Sequence, residues 1–376
     1  MKIIISKKRL EVAVKNICRV INKKNALPIL DDIRFDVSPQ EKTVTLTGSD
    51  SEIFLHYKVE LDAAEGDSTQ FCVGAKWLKM ALAELKDQPL TISLSQDGTA
   101  VIIQHQTGST QLPAIDAAEY PLVKWNSETT CTWTLDSPML KRVLDRSIFF
   151  MADDEMRPVM CGAYFCQAKN QLNIVASDGH VLIHNCEEIT NQDGSFIMPK
   201  KAAKLLAKMI TGTDEVKISF DERMVSVAHG SMEMDLRAIE GKYPNYLAVI
   251  PESTPYELTV DILSLLAAVR NVVNFTVENH RQVKLDIQHD HRLTVSGADW
   301  DQSVAADDTI DIEYPNGTPM QIGVKGDSLI KVLQLTTGRR AVIHFTDPSR
   351  AITIVTEEPI ENEAVTMLMM PMLLND

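Results

Sequence analysis

Nowhere in the 376 residues does an apolar run approach the eighteen or so that a bilayer-spanning helix requires. Only three isoleucines separate the opening Met-Lys from Ser6-Lys7-Lys8-Arg9, too little for the core of a secretory signal. The six cysteines (Cys18, Cys72, Cys131, Cys161, Cys166 and Cys186) show no CxxC spacing, which argues against a zinc or disulfide framework and fits reduced core thiols. GxxxxGK[ST], GxGxxG and GxSxG are all missing, so phosphate-cradling loops and nucleophile elbows are excluded. Together these absences lead us to expect a cytoplasmic protein with no bound cofactor and no membrane partner. Positive charge is scarce too: 37 Lys and Arg against 52 Asp and Glu leave a formal charge of -15. Taken alone, that balance argues against a nucleic-acid partner, because neutralising phosphates needs clustered cations.

What is present is an ordinary globular composition, 44% hydrophobic and 24% charged, in a chain long enough for two to four domains. A faint threefold repeat divides it. Strand-like runs lead into amphipathic helices at the start, at 132–149 and at 256–274, with apolar residues at helical spacing: Leu10, Val14, Ile17 and Ile21; Leu140, Val143 and Leu144; Leu263, Leu266 and Val269. Further on, each unit has a strand ending in a small-residue and Asp turn, at Asp50, Asp178 and Asp299, which lie 40, 38 and 36 residues after Leu10, Leu140 and Leu263. A second helix opens near Lys76, Lys201 and Ser328, and an alternating hairpin follows, with tips at Asp97-Gly98, Asp221-Glu222 and Asp347-Pro348. The expected domains are 1–124, 125–252 and 253–376, each an α+β unit of two helices packed on antiparallel sheet.

Mapped along the chain, the charge tells a different story from the total. The six expected helical segments, 7–24, 73–86, 137–147, 199–209, 261–273 and 325–340, hold 22 of the basic residues and only 5 of the acidic ones. Lys8, Lys15, Arg19 and Lys23 lie opposite the apolar face of the first, Arg142 and Arg146 on the third, and Lys200, Lys204 and Lys208 on the fourth. The fifth, with Arg270 balanced by Asp261, is the exception. Acidic sheets outside and basic helices inside would attract a polyanion to the inner surface and repel it elsewhere. Twelve helices about 10 Å wide give a circumference on the order of 120 Å and a gap of roughly 28 Å. A duplex roughly 20 Å across passes through such a gap. One chain supplies six helices, so a two-fold dimer is the simplest closure.

Four short stretches, Leu27-Pro28-Ile29-Leu30, Ala176-Ser177-Asp178-Gly179-His180, Tyr243-Pro244-Asn245-Tyr246 and Met370-Pro371-Met372, in this order and spacing, resemble the bacterial DNA polymerase III β subunits, the sliding clamps. The resemblance covers the whole chain. It implies a head-to-tail homodimeric ring around duplex DNA, loaded by an ATP-driven clamp loader and tethering the polymerase α subunit and other clamp-binding-motif proteins. By position it places Lys24, Lys76, Lys200 and Lys201 against DNA, and it leaves Asp154 where the family has another DNA-facing residue. It also implies a peptide-binding pocket with walls from Met160, from Ser177, Gly179, His180, Val181 and Leu182, from Pro244 and Val249, and from Leu368, Met370, Pro371 and Met372. Val181 and Leu373 stand where a well-studied form has arginines. At the dimer contact, Thr110 and Leu112 are expected to meet Val272 and Val273.

Enzymatic readings compete on three features. Asp178 with His180 has the makings of a general base, Asp153-Asp154-Glu155 those of a two-metal nuclease, and His289-Asp290-His291 an HxH spacing. An Asp-Gly turn, a solvated acidic loop and a hairpin tip account for the same residues without catalysis. A protein-only scaffold, whose basic faces never meet DNA, is the remaining alternative.

Overall fold

The computed structural model describes residues 1–22, 24–123, 131–315 and 317–374. Lys23 and the expected boundary between 124 and 125 lie outside the described residues. The elements recur three times along the chain. The first series is β1 (Lys2–Ser6), α1 (Lys7–Ile17), β2 (Asp32–Ser38), β3 (Thr43–Ser49), β4 (Ile53–Glu60), β5 (Ala63–Glu65), β6 (Thr69–Gly74), α2 (Ala75–Ala83), β7 (Pro89–Leu94), β8 (Ala100–His105) and β9 (Gly108–Ile115). The second is β10 (Cys131–Asp136), α3 (Ser137–Ser147), β11 (Gly162–Ala168), β12 (Gln171–Ser177), β13 (Val181–Glu187), β14 (Gly194–Pro199), α4 (Lys200–Met209), β15 (Glu215–Phe220), β16 (Met224–His229) and β17 (Met232–Arg237). The third is β18 (Tyr256–Asp261), α5 (Ile262–Val273), β19 (Gln282–Ile287), β20 (Arg292–Asp299), β21 (Val304–Asp311), β22 (Met320–Lys325), α6 (Gly326–Leu335), β23 (Arg340–Phe345), β24 (Ile352–Thr356) and β25 (Glu363–Met369).

Packing gathers these elements into two compact units, Met1–Lys141 with Lys204–Ala238, and Arg142–Ala203 with Ile239–Asp376. The first unit is built on one 13-stranded sheet, in which β4 of the first series pairs antiparallel with β17 of the second. The second unit holds an 8-stranded sheet, in which β13 of the second series pairs with β25 of the third, and a 4-stranded sheet ordered β21-β20-β19-β22. In both joins, a strand that follows an Asp turn takes the last strand of the next series as its neighbour.

Local chemistry explains the elements. β10 and β19 alternate buried and open residues, the period-two signature of a half-buried strand. Asp261 caps α5 by accepting from Ser264 N at 2.9 Å, and Asp136 Oδ2 accepts from Met139 N at 3.1 Å at the start of α3. Leu10, Val14 and Ile17 of α1 and Leu140, Val143 and Leu144 of α3 are buried, as their spacing predicts. In the first unit Trp133 is fully enclosed, edge-on to Phe220 at 4.6 Å. In α5 the expected phase is off by part of a turn: Leu263 is 73% exposed, while Leu265, Leu266 and Val269 form the inner face. The stretch Ile262 to Leu266 is apolar nearly all round, so periodicity alone does not fix which side turns inward.

Candidate functional site

The second unit carries a cavity of about 150 Å³ beside the join of β13 and β25. Backbone geometry builds it. At the turn between β12 and β13, Asp178 Oδ1 accepts from His180 N at 2.8 Å and Val181 N at 2.9 Å, so this carboxylate organises a turn rather than the imidazole. Ser177 Oγ donates to Val181 O at 2.9 Å and accepts from Gly179 N at 3.1 Å. Gly179 has φ +94°, a left-handed conformation that favours glycine; a Cβ there would lie 2.7 Å from Arg157 Nη1, the tip of a flexible side chain that can swing aside. Met370 N donates to His180 O at 2.8 Å, which fixes the end of the last strand to the same turn.

Ten of the expected wall residues line the cavity: Met160, Ser177, Gly179, His180, Val181, Leu182, Pro244, Val249, Leu368 and Met370. Pro371 and Met372 do not. Met372 N instead donates to Gly323 O at 2.8 Å, and Gln282 Nε2 donates to Leu373 O at 2.8 Å, which draws the tail onto the 4-stranded sheet. Three further lining residues, Tyr243, Asn245 and Tyr246, belong to a stretch that carries the family resemblance but are not among the expected wall residues. Tyr243 stacks on Tyr164 with centroids 5.1 Å apart, and burial pushes its phenol above the ordinary range. Tyr246 packs against His184, and burial, followed by nearby Cys166, pushes its phenol up to about 12. Both rings therefore present a neutral, aromatic surface. Val181 is buried in the wall, whereas Leu373 is 82% exposed. Met370, Leu247 and Val249 are exposed as well, giving an apolar rim of the kind that marks a binding surface.

The basic residues expected to meet DNA differ in their surroundings. Lys24 and Lys76 are exposed, the latter with Nζ 5.2 Å from the Trp77 ring centroid. Lys201 is exposed on α4. Lys200 is not available in the same way: its Nζ donates to Met151 O at 2.8 Å and to Asp153 Oδ1 at 2.7 Å, and so holds the 151–157 loop. Within the observed helix bounds the charge excess persists, fifteen basic residues against Glu11, Asp145 and Asp327.

The acidic run does not act as one group. Asp153 pairs with Lys200, while Asp154 accepts from Met156 N at 3.0 Å and pairs with Arg157 at 3.0 Å, contacts that hold its carboxyl below the ordinary value. His291 lies in the β19–β20 turn, where its Nδ1 accepts from Tyr314 N at 3.3 Å. All six cysteines are free thiols.

At the expected dimer contact, Thr110 is half-buried and Leu112 is buried, both on β9. Val272 and Val273 are buried inside their own unit, against the backbone of Gly297 and Gly326, rather than presented at its surface. They continue the inner face of α5 set by Leu265 and Val269, which explains why they turn inward.

Family models for the DNA polymerase III beta subunit match nearly the whole chain: the N-terminal domain over 1–124, the central domain over 134–245 and the C-terminal domain over 247–373. The chain belongs to this family. Among relatives of the beta subunit, the beta sliding clamp of Caulobacter vibrioides strain NA1000 is 25% identical over 384 residues, covering 99% of this chain and 100% of that one. The beta sliding clamp of Haemophilus influenzae is 24% identical, with 99% and 100% covered. The same fold appears in the crystal structures of DNA polymerase III subunit beta from Pseudomonas aeruginosa, with TM-score 0.92 at 23% identity, and from Thermotoga maritima, with TM-score 0.89 at 22% identity; each covers 100% of both chains. As a member of this family the chain is a sliding clamp, a non-catalytic processivity factor that works with DNA and the replicative polymerase. Among the described residues, no helix of this clamp is long and apolar enough to cross a membrane.

Proposed function

We propose that two copies of the chain close head to tail into a cytoplasmic ring of six repeats, 1–124, 125–252 and 253–376 from each, with duplex DNA passing through it. The observation that carries this reading is an incomplete pattern of strand joins. β4 takes β17 and β13 takes β25, so the first repeat is joined to the second and the second to the third. The corresponding third-repeat strand, β21, is the edge of its sheet. The corresponding last strand of the first repeat, β9, pairs with β8 and touches β6 only at Ala114 and Ile115. Pairing β21 of one copy with β9 of the other completes the pattern, and two such joins close a ring. Equivalent registers place Val304 opposite Leu112 and Ala306 opposite Thr110. Val272 and Val273 then support α5 beneath the join rather than cross it.

Lys24, Lys76 and Lys201 supply sequence-independent attraction to phosphates, while Lys200 positions the neighbouring loop. The apolar cavity from Met160 to Met370 takes short peptides from the polymerase α subunit and other clamp-binding proteins. With Val181 in its wall in place of an arginine, it favours apolar side chains over acidic ones. A separate ATP-driven clamp loader opens the ring. The test is retention on nicked circular DNA after loading. Release on linearising the circle is the expected result; equal retention on both forms overturns encirclement, and Mg²⁺-dependent cleavage lost in Asp154→Ala would restore the nuclease reading.

A further inference from the structure

We propose that Trp77 of one copy and Trp300 of the other pack together at one end of the β9–β21 join and anchor the dimer; this rests on the ring-closing pairing above and names the side chains that hold it. Of the three described tryptophans, Trp133 is wholly buried, whereas Trp77 is 53% and Trp300 is 80% exposed. Two such large apolar surfaces are open to a partner, and tryptophan is enriched among residues that dominate protein interfaces.

The two intrachain joins define where each ring would lie. In both, the residue just past the pairing donates its N–H to the turn preceding the partner strand: Arg237 N to Glu52 O at 3.1 Å, and Met370 N to His180 O at 2.8 Å. The hairpin registers His229 with Met232 and His105 with Gly108 align the first two repeats, so the residue equivalent to Arg237 is Pro113. Proline has no N–H to donate. The third join therefore lacks its closing backbone bond at this end, which leaves that end to be held by side chains.

Both tryptophans converge there. Cys72 faces Ile115 and Val73 faces Ala114, so Gly74 follows towards the level of Pro113. The Trp77 ring lies over Gly74, with Cδ1 3.1 Å from where a Cβ would stand. On the other side, Trp300 occupies the turn just before β21, the segment that Pro113 would face. That turn is pinned by Gln302 N donating to Asp299 Oδ1 at 3.1 Å and Ser303 N donating to Trp300 O at 3.2 Å. Trp300 is thus displayed on an ordered support, which lowers the entropy lost on association.

Sedimentation equilibrium of the full-length chain tests the contact with Trp77→Ala, Trp300→Ala and the double variant. Each single substitution is expected to raise the dimer Kd by about tenfold or more. The double variant should be little weaker than either, since both remove the same contact. Thermal unfolding checks that the variants remain folded. Wild-type-like dimerisation of either variant, or effects that multiply in the double variant, overturns the proposal. So does a Trp77→Ala clamp that dimerises normally but loses retention on DNA, which would assign the ring to bases instead. A wild-type chain that is monomeric at every concentration refutes the ring reading itself, a result distinct from a wild-type dimer indifferent to both tryptophans.

Discussion

Replacing Glu187 by Gln is expected to stabilise the protein at neutral and alkaline pH, although it removes a charge from a buried ionic cluster. Glu187 and Glu363 are direct cross-strand partners in the β13–β25 join, and both are buried. Arg142 Nη2 lies 2.9 Å from Glu363, and Arg146 contacts the same carboxylate. Both arginines contact Glu363, so Glu187 has a like charge as its direct cross-strand partner and feels the arginines only through space. Burial first, and then Glu363, pushes the Glu187 carboxyl from 4.5 up to about 7. Below the ordinary value, the group is protonated in folded and unfolded chains alike and contributes nothing. As pH rises towards 7 the unfolded chain gives up its proton first, so the folded state is progressively disfavoured; above about 7 the loss is constant. A separation of about 2.5 pH units corresponds to about 3 kcal/mol, and screening by nearby solvent and local relaxation reduce that to about 1–2 kcal/mol. Glutamine keeps the shape without the ionisation. Thermal unfolding of Glu187→Gln at pH 8 should show a Tm about 2–8 °C higher than wild type, with the gap closing by pH 4.5. A variant less stable than wild type at pH 8, or a gap that widens in acid, refutes this account of the cluster.

Arg146→Ala acts in the opposite direction, leaving the buried Glu363 carboxylate with Arg142 alone, and should cost about 1–3 kcal/mol in denaturant unfolding. Gly179→Ala places a Cβ at a positive φ and requires Arg157 to swing aside; it should cost about 1–2 kcal/mol, while weakening any peptide that binds the cavity, read by fluorescence anisotropy. Replacing Lys24, Lys76 and Lys201 together with alanine should lower the slope of log K against log salt for the loaded clamp by up to about 2.7, a step of about 0.9 for each phosphate that is no longer neutralised. Lys200→Ala should affect the 151–157 loop, read as faster amide exchange there, more than it affects that slope.

The repeat was legible because each element carries its own local signal. Period-two burial, Asp turns and helical apolar spacing need only neighbouring residues, and the three hairpins form around the expected tips at Asp97-Gly98, Asp221-Glu222 and Asp347-Pro348. Most of the cavity wall was legible only through resemblance, since Met160 and Met370 meet through strand pairings that no local pattern encodes. What stayed hidden depends on long-range partners. Lys200 reads as one more basic residue on a helix face until Asp153, 47 residues earlier, claims its ammonium. Met372 reads as a wall residue until Gly323 pairs with it. Tyr243 reads as part of a family-matching stretch with no role of its own, and its place in the wall emerges only with its stacking on Tyr164. The six-helix charge excess could be counted in the sequence, but which lysine is tied to a neighbouring loop could not be read there.

The most direct test of the ring is a covalent lock across its proposed seam. Gln111 and Ala305, both exposed in the single chain, fall opposite each other when β9 and β21 pair in the register of the two intrachain joins. Directly opposed residues have Cβ atoms about 4.5–5.5 Å apart, within reach of a short cross-linker. With Gln111→Cys and Ala305→Cys in one chain, cross-linking after loading onto nicked circular DNA should give a closed dimer that survives denaturant on the circle and comes off once the circle is cut. Efficient dimer cross-linking that leaves no denaturant-resistant DNA complex, or no dimer cross-link between these positions, would contradict closure of the ring around DNA through β9 and β21.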